Sequence, residues 1–389
     1  MHPASEEDAA SAVRDAVSSG RTLAVRGGGT RDGLGRPVEA SAVLSVAGLT
    51  GITLYEPAEL VIGAWAGTPV GTIVDALAAR GQMLPVEPMD HRSLYGTAGE
   101  PTLGGLVATN ASGPRRVKAG AIRDHLIGVR FVNGRGEIVK SGGRVMKNVT
   151  GLDLVKLQCG AHGTLGVLTE VVFKVLPSPQ STASLAWSGL DDHRAIAALT
   201  MALGSPFELS GAAHLPACAS RGAARTLLRL EGFEDEVAHR LPRIAALLAA
   251  FGEAERIDAE ASVALWAGIR DAAPLAAPPE SVVWRISVPP THGPEVIDRL
   301  RGSLLDHYYD WGGGLVWIAA PADHDSAAGI IRAAIRSGHA TLIRAPDELR
   351  RRTSVFDPLL PGLLRVSRDI KAALDPEAIL NPGRMYAGV

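Results

Sequence analysis

The chain has 389 residues, 46% of them hydrophobic, so it is long enough to bury a large core and to form more than one domain. Its formal net charge of -2 and its lack of long basic runs argue against a nucleic-acid partner, whose phosphates would need neutralising. Only two cysteines are present, too few for a disulfide framework or for the ligands of an iron–sulfur cluster within this chain.

Two features of the sequence bear on where the protein works. Residues 1–20 lack the basic and then apolar layout of a signal peptide. No apolar run approaches the roughly 20 residues that a membrane-spanning helix needs. We therefore expect a cytoplasmic protein.

The N-terminal part of the chain reads as mixed helices and strands without strict alternation. Ser5 is placed to cap a first helix, whose apolar residues recur at helical spacing up to Gly20. A short strand, TLAV, then runs into a loop with five glycines, RGGGTRDGLG. Further strands are predicted at AVLSVA, ITLYEP and LVIGAWAG, with an amphipathic helix after Pro69.

The middle of the chain contains a predicted hairpin and a predicted domain boundary. In LIGVRFVNGRGEIVKSGG two alternating runs flank Asn133-Gly134, a pair that favours a tight turn between antiparallel strands. A further strand, GVLTEVVFKVL, precedes a proline pair, and after it helices alternate with strands such as RTLLRLEG and VVWRISVPP, as in a second α/β unit. We predict domains over 1–177 and 178–345, followed by a C-terminal helix and loop over 346–389.

Three glycine clusters lie beside predicted strands or helix starts in the first of these domains. Gly27–Gly29 leave consecutive backbone N–H groups free to form a concave nest for a phosphate oxygen, and Thr30 adds a hydroxyl. Gly104–Gly105 fall in the first helical turn predicted after Thr102, where unpaired N–H groups also attract an anion. The third cluster, GAHGTLG, precedes a strand, where a flat ring can lie against bare backbone.

One glycine-rich loop is more often a plain turn than a ligand site, but three in one domain favour a ligand that carries phosphate. Two familiar nucleotide motifs are disfavoured. After Gly27 and Gly29 the third glycine position of the dinucleotide fingerprint is Asp32, and the chain contains no P-loop pattern. The ligand is therefore expected to be held outside a Rossmann or P-loop fold.

Taken in order, these segments carry a resemblance to a known family. The succession RGGGTRDGLG, TLGGLVATNASGPRRVKAGAIRDHL and GAHGTLGVLTEVVFKVLP resembles the FAD-binding domain of the vanillyl-alcohol oxidase (PCMH-type) flavoprotein superfamily. More narrowly, VVWRISVPP and FDPLLPGLLRVSRDIKAALDPEAILNPGRMY are similar to a family of FAD-binding subunits of bacterial glycolate oxidase. The resemblance implies an α+β fold: a two-part FAD-binding domain, an α/β cap over the flavin ring, and a C-terminal segment that returns to the flavin.

The resemblance also implies flavin contacts, position by position. The first glycine loop matches the pyrophosphate loop, the second segment contacts the flavin, the third loop runs along the isoalloxazine and adenosine, and the C-terminal segment reaches the flavin edge. The cofactor-binding residues expected on this basis are Arg26, Gly27, Gly28, Gly29, Thr30, Arg31, Gly104, Gly105, Thr109, Gly113, Gly163, Thr164, Leu165, Gly166, Val167, Asn381 and Arg384.

Two departures from related family patterns sharpen these expectations. Members that tether FAD covalently place a histidine in the first loop, where this chain has Gly29-Thr30, so we expect non-covalent FAD. Related 2-hydroxyacid dehydrogenases carry a histidine-rich metal site that orients substrate, and this sequence lacks that motif. We therefore predict no metal site in this chain.

The resemblance implies an FAD-dependent oxidoreductase that works as one component of a glycolate oxidase-type complex. The complex would oxidise a small 2-hydroxy acid, glycolate, to the 2-oxo acid glyoxylate and pass electrons to an iron–sulfur subunit. A homologous FAD subunit would carry the metal-type site, and these partners would bring the chain to the inner membrane. Two other hypotheses stay open: a stand-alone FAD-dependent 2-hydroxyacid dehydrogenase, and a non-catalytic scaffold subunit with a vestigial FAD site.

Two arginines on predicted strands are candidates for binding a substrate carboxylate. Arg285 in VVWRISVPP could present its planar guanidinium from the cap to a substrate carboxylate. Arg344 in ATLIRAP is a candidate for the same role, with less support from the sequence. The alternative for both is an arginine that is exposed or structurally paired.

Overall fold

The structure is a computed structural model that describes residues 1–143, 151–322 and 327–389. It mixes helices and strands along the whole chain. The strands are β1 Leu23–Arg26, β2 Ala42–Ser45, β3 Ile52–Glu56, β4 Val61–Trp65, β5 Gln82–Met83, β6 Leu126–Val132, β7 Ile138–Gly142, β8 Val167–Lys174, β9 Leu176–Pro177, β10 Ser181–Ser188, β11 Gly211–Leu215, β12 Arg225–Gly232, β13 Glu255–Ile257, β14 Val282–Ser287, β15 Asp306–Asp310, β16 Leu315–Ala320 and β17 His339–Arg344. The helices are α1 Glu6–Ser18, α2 Val70–Ala78, α3 Arg92–Tyr95, α4 Leu103–Thr109, α5 Arg116–Ala119, α6 Ile122–His125, α7 Leu154–Gln158, α8 Asp192–Leu203, α9 Ala217–Ser220, α10 Glu234–Leu247, α11 Ala259–Arg270, α12 Gly293–Leu300, α13 Ala327–Ala334, α14 Asp347–Arg352 and α15 Pro361–Leu374.

The N-terminal half is built on an antiparallel sheet with strand order β3-β4-β8-β6-β7. Helix α4 packs on this sheet through Leu106 and Val107, which share a buried cluster with Phe131 and Phe173. A helix that buries one side against a sheet leaves its other residues free for other contacts. Gly105 and Thr109 of α4 are only partly buried.

A smaller unit joins the two ends of the chain. Strands β1 and β2 pair in parallel, and helix α1 begins as predicted, with the Ser5 hydroxyl accepting a hydrogen bond from the Asp8 N–H. The C-terminal segment lies beside β1: the Leu23 N–H donates to the Ile379 carbonyl at 2.7 Å, and the Asn381 N–H donates to the Leu23 carbonyl at 2.9 Å. The end of the chain is thereby fixed next to the first glycine loop.

The second half carries a larger antiparallel sheet with strand order β13-β10-β12-β11-β15-β16-β14-β17. Alternate residues of β14 face opposite sides: Trp284 joins the core under the helices, whereas Val283 joins a cluster that also contains Leu34, Met89 and Leu94 from the N-terminal half. This face of the sheet therefore packs against the N-terminal half. The domain boundaries at 177 and 345 stay predictions.

The predicted hairpin is present, but its predicted turn is wrong. Strands β6 and β7 pair in antiparallel register, with Val132 opposite Ile138. The connection has five residues, 133–137, and the left-handed position is taken by Gly136 at φ 73° instead of Asn133-Gly134. The reason is tertiary, because the Gly134 N–H donates to the Leu374 carbonyl at the end of α15.

The structure also bears on membrane association. Among the helices in the described ranges, none has the length and apolarity to cross a bilayer.

Candidate flavin site

The three glycine clusters and the C-terminal segment meet at two adjoining cavities. The cavities share Val25, Gly27, Gly105, His162 and Asn381 among their lining residues, so they form one continuous cleft. Counted with the open space at their mouths, they enclose about 490 and 400 Å³.

The first glycine loop presents free backbone donors to this cleft. Throughout the described residues, the N–H groups of residues 27–31 form no hydrogen bond. Consecutive unpaired N–H groups attract an anion, and leaving them unpaired in a buried place is costly. Gly28 itself is required by chain packing, because a Cβ there would lie 1.8 Å from the Glu100 carbonyl oxygen. Gly29 adopts φ 76°, a left-handed conformation that favours glycine.

Helix α4 contributes a surface without side chains to the cleft. The sequence had predicted unpaired backbone N–H groups there instead. Its start is as predicted, with the Thr102 side chain accepting from the Gly105 N–H at 3.3 Å. However, the Leu103 and Gly104 N–H groups donate to the Thr68 and Ala66 carbonyls at 3.0 and 2.7 Å. The prediction of unpaired N–H groups in this turn was therefore wrong, and Gly105 serves by leaving room in the cleft.

Asn381 clamps the third glycine loop to β1. Its Oδ1 accepts a hydrogen bond from the Val25 N–H at 2.8 Å, and its Nδ2 donates to the His162 carbonyl at 2.7 Å. Asn381 lines both cavities and is itself buried. One side chain thus holds the strand before the first glycine loop at a fixed distance from the loop before Gly163.

Asn381→Ala should weaken FAD binding by about 10- to 100-fold, because both clamping hydrogen bonds are lost and a buried N–H and carbonyl are left unpaired. Asn381→Asp retains the acceptor for the Val25 N–H, but its charged carboxylate faces the His162 carbonyl and lines a cleft that binds an anion, so it should bind FAD no more tightly than the alanine variant. Fluorescence titration of the flavin-free chain with FAD measures both. Equal affinity in all three proteins would contradict the clamp.

The charges around the cleft suit a diphosphate. Three arginines, Arg26, Arg31 and Arg384, line it together with a single carboxylate, Asp32. Arg26 pairs with Asp32 at 2.5 Å, and both side chains are about half exposed. The local balance is therefore positive in a chain whose overall charge is -2, so the cleft attracts an anion through groups placed at its wall.

Arg31 is a buried cation whose guanidinium is only partly satisfied. Its Nε lies 3.3 Å from the Nδ1 of His91, and its Nη2 donates to the Met89 carbonyl at 3.1 Å. No partner for Nη1 occurs among the described residues, and this nitrogen lies beside Gly105, 3.2 Å from where a Cβ would stand. Burial lowers the pKa of Arg31 to about 10, so it stays charged at neutral pH.

His162 forms part of the cleft wall as a neutral ring. Burial, reinforced by the charge of Arg384, lowers the pKa of His162 to about 3. Its ring lies edge-on to Phe356, with 5.1 Å between the ring centres. A neutral imidazole next to an aromatic side chain gives this part of the cleft an apolar character that suits a flat ring.

The structure brings most of the predicted contacts together. The predicted residues that line the cleft are Arg26, Gly27, Gly28, Gly29, Thr30, Arg31, Gly104, Gly105, Thr109, Gly163, Gly166, Asn381 and Arg384. Those that do not line it are Gly113, Thr164, Leu165 and Val167. Thr164, Leu165 and Val167 are buried behind the third loop, which they support from the core.

Sequence reasoning missed the pair that anchors the C-terminal segment. The Lys371 ammonium donates to the Thr164 and Leu380 carbonyls and to the Asp375 carboxylate at 2.6–2.8 Å. Asp375 in turn accepts from the N–H groups of Ile379 and Leu380. The sequence feature that could have indicated this pair is the i, i+4 spacing of a lysine and an acid near the end of α15. That spacing is also common on exposed helices, so it does not distinguish a buried pair.

The fold and the cleft together define an FAD-binding protein of the PCMH type. Residues 1–142 match the FAD binding domain family, and residues 359–385 match the C-terminal domain family of FAD linked oxidases. The chain is 38% identical to glycolate oxidase subunit GlcE of Escherichia coli over 96% of its own length and 95% of that protein. The chain therefore belongs to the FAD-linked oxidoreductase family that includes GlcE, and it is an FAD-dependent oxidoreductase.

Two further comparisons agree with this assignment. The chain is 32% identical to a D-lactate dehydrogenase of Anaerostipes hadrus, over 46% of this chain and 37% of that protein. Its fold matches the structure of 4-ethylphenol oxidase from Gulosibacter chungangensis with a TM-score of 0.74, covering 100% of this chain and 89% of that one at 17% identity. The α+β fold class expected from the sequence is thereby confirmed. FAD as the cofactor is confirmed by the match to the FAD binding domain family and by the similarity to GlcE. Non-covalent attachment stays a prediction.

Arg344 lies on β17 and is fully engaged by the protein. All three of its guanidinium nitrogens donate to backbone carbonyls, including that of Leu94 in the N-terminal half, and Nη2 also donates to the Ser281 hydroxyl. No nitrogen remains for a substrate carboxylate. The structure therefore argues against the substrate role suggested for Arg344 and gives it a structural one, joining α3 to the cap sheet.

Arg285 has a different environment on the neighbouring strand. It lies on β14 on the side of Val283, which faces the N-terminal half, and its guanidinium carbon is 5.1 Å from the centre of the Trp311 ring. It does not line the cleft described above.

The buried Asp310 next to Trp311 predicts a pH dependence of stability. Burial raises the pKa of Asp310 to about 7, above its value in an unfolded chain, so the folded state holds an extra proton between roughly pH 4 and 7. Stability from this group is therefore lost as the pH rises through that window. Asp310→Asn keeps the acceptor for the Trp311 N–H and should raise the melting temperature more at pH 8 than at pH 5. An equal shift at both pH values would contradict this.

Proposed function

We propose that the chain is the FAD-carrying subunit of a glycolate oxidase-type complex that converts a small 2-hydroxy acid to its 2-oxo acid. One observation carries the proposal: the similarity to GlcE runs through nearly the full length of both proteins. Sequence identity of 38% over nearly all of both chains supports a shared place in an assembly, beyond a shared cofactor.

Bound FAD supplies an acceptor that takes two electrons from an alcohol carbon and releases them singly. The chain's own residues bind and position it. The free N–H groups of the first glycine loop and the charges of Arg31 and Arg384 hold the diphosphate, while Gly105 leaves room beside it. Asn381 fixes the separation of the first and third loops.

The partners follow from the same proposal. With only two cysteines, this chain has too few for the ligands of an iron–sulfur cluster, so the cluster that would receive the electrons would lie on a partner. A second, homologous FAD subunit would hold the histidine-rich metal site that this sequence lacks. The name of subunit GlcD of Bacillus subtilis glycolate oxidase, 30% identical over 38% of this chain, supports a complex with related flavin subunits.

Affinity purification of the chain from its native host, with flavin and iron counted per complex, tests the proposal. We expect a second flavoprotein and an iron-containing subunit to co-purify, and glycolate oxidation to require all of them. A chain that purifies alone without iron, and that oxidises glycolate at full rate, would overturn it.

A second candidate is a stand-alone FAD-dependent 2-hydroxyacid dehydrogenase. It is favoured by the cationic environment of Trp311 in the cap, which suits a substrate acid. Anaerobic mixing of the isolated FAD-loaded chain with a set of 2-hydroxy acids distinguishes the two, since only a stand-alone enzyme loses its flavin absorbance. A colourless chain that cannot be reloaded with FAD would point instead to a scaffold with a vestigial site.

A further inference from the structure

Two arginines from different halves of the chain lie against one tryptophan. The guanidinium carbon of Arg116, on α5, is 4.8 Å from the centre of the Trp311 ring, and that of Arg285, on β14, is 5.1 Å from it. Trp311 is held in place: its N–H donates to the Asp310 carboxylate at 2.7 Å, and its Nε1 donates to the Gly113 carbonyl at 3.2 Å. Its backbone adopts the left-handed φ of 52°, which is strained for this residue type.

Neither arginine has a polar partner. Within the parts of the chain that the structure describes, the guanidinium groups of Arg116 and Arg285 form no hydrogen bond and no ion pair, although both side chains are partly buried. The acids whose charges reach them most strongly are Asp124 for Arg116 and Asp310 for Arg285. Neither acid forms an ion pair with these arginines, and Asp310 is partly protonated at neutral pH because of its raised pKa.

This arrangement is unfavourable without a further anion. Burial, and next the neighbouring charge of Arg116, lower the pKa of Arg285 to about 10. Two cations against one ring repel each other, and the attraction of an aromatic face offsets only part of the cost of removing guanidinium groups from water. An anion placed between them would relieve the repulsion and satisfy their donors.

The pair lies on the cap side of the flavin cleft. Trp311 packs against the cluster that contains Leu34 and Met89, and the Met89 carbonyl accepts a hydrogen bond from Arg31 of the cleft wall at 3.1 Å. The backbone that carries Arg116 also continues from α4, whose Gly105 and Thr109 line the cleft. A small molecule held by the pair would therefore lie between the cap sheet and the flavin cleft.

We propose that Arg116 and Arg285, placed against Trp311, form a binding site for the carboxylate of a small organic acid. The identity of that acid as the 2-hydroxy acid or its 2-oxo product rests on the proposed function. The site itself rests on the geometry of the two unpaired guanidinium groups.

The chemistry of the site favours a carboxylate over a larger anion. Each guanidinium offers parallel N–H donors that match the two oxygens of a carboxylate, and the planar ring of Trp311 fits against a flat, small ligand. The two cations come from different halves of the chain, so the ligand would also bridge them. A short acid would thereby be oriented by its charged end, with its other end free to face the cleft.

Calorimetric titration of the FAD-loaded chain with oxalate tests the site, because oxalate is a flat acid that cannot be oxidised as a 2-hydroxy acid. We expect oxalate to bind the wild type saturably. The neutral amide glycolamide should not bind. Arg116→Gln and Arg285→Gln should each weaken oxalate binding at least tenfold, whereas the lysine variants at both positions should retain part of it. Oxalate should also raise the melting temperature of the wild type and not of the glutamine variants.

The control is Arg336→Gln, which removes an exposed charge that lies 4.0 Å from Glu295 and is not one of the two cations against Trp311. It should leave oxalate binding unchanged. FAD content and melting temperature identify any variant that fails to fold. If a glutamine variant fails, oxalate binding is measured in the lysine variant at the same position. Unaltered oxalate binding in both folded glutamine variants, or no binding by the wild type, would overturn the site.

The same variants separate this inference from the proposed function. If both glutamine variants lose oxalate binding but the native complex oxidises glycolate with an unchanged KM, the site does not hold the substrate acid, and the anion site and the proposed function both stand. If oxalate binding depends on both arginines but the native complex oxidises no 2-hydroxy acid, the proposed function fails and the anion site stands.

Discussion

Gly105→Val should abolish FAD binding, weakening it by at least about 100-fold, and leave the chain folded. A Cβ at this position would stand 3.2 Å from both the Arg31 Nη1 and the Thr102 Oγ1, and the two further methyl groups would extend into the cleft. They would fill the space beside the free N–H groups of the first glycine loop and screen Arg31 from a diphosphate. Fluorescence titration with FAD gives the affinity, and circular dichroism reports the fold.

The matched control is Gly71→Val. Gly71 also lies in the first turns of a helix, α2, so the variant introduces the same β-branched side chain into the same kind of backbone. A Cβ there would have no atom within 4 Å, and Gly71 is exposed and does not line the cleft. We expect unchanged FAD affinity for Gly71→Val. Equal loss in both variants would mean that helix stability, and not space in the cleft, explains the effect.

Lys371→Met should lower the free energy of unfolding by about 3–5 kcal/mol, the usual cost of leaving one partner of a buried ion pair alone. Lys371 and Asp375 are both almost fully buried, and the lysine donates to two backbone carbonyls in addition to the carboxylate. Methionine fills a similar volume but satisfies none of these acceptors. FAD should be lost as well, because the same contacts hold the segment that carries Asn381.

Denaturant unfolding of Lys371→Met and of Lys118→Met provides the comparison. Lys118 forms an exposed ion pair with Glu208, which is worth about 1 kcal/mol at most. The double variant Lys371→Met with Asp375→Leu should regain part of the stability, because it removes the stranded charge. A similarly small effect of Lys371→Met and Lys118→Met would show that the buried pair does not anchor the C-terminal segment.

The parts of the site that depend on local backbone conformation could be predicted from the sequence. Glycine spacing located the first loop and the start of α4. Several glycines together at the end of a strand or helix indicate a place where a ligand or another part of the chain approaches the backbone closely. The Asn133-Gly134 turn shows the limit of local reasoning. Its pattern predicted the strand pairing correctly, but contact with Leu374, far along the chain at the end of α15, set the actual turn.

Side-chain partners at long range could not be predicted. Arg285 and Arg344 lie on adjacent strands of one sheet, and the sequence gives them the same appearance. The Arg344 guanidinium donates six hydrogen bonds to neighbouring oxygens. The Arg285 guanidinium lies against the Trp311 ring and has no hydrogen-bond acceptor among the described residues. The difference comes from loops that converge on Arg344 from both halves of the chain, and only the folded structure places them.

Hydrogen–deuterium exchange of the chain with and without FAD tests the central claim most directly. We expect slowed exchange on FAD binding in four separate segments, 25–32, 102–109, 162–166 and 381–384. The largest change is expected at the N–H groups of residues 27–31, which have no acceptor among the described residues. Protection confined to one of these segments, or appearing on a different face of the molecule, would contradict a single FAD held where the three glycine loops and the C-terminal segment meet.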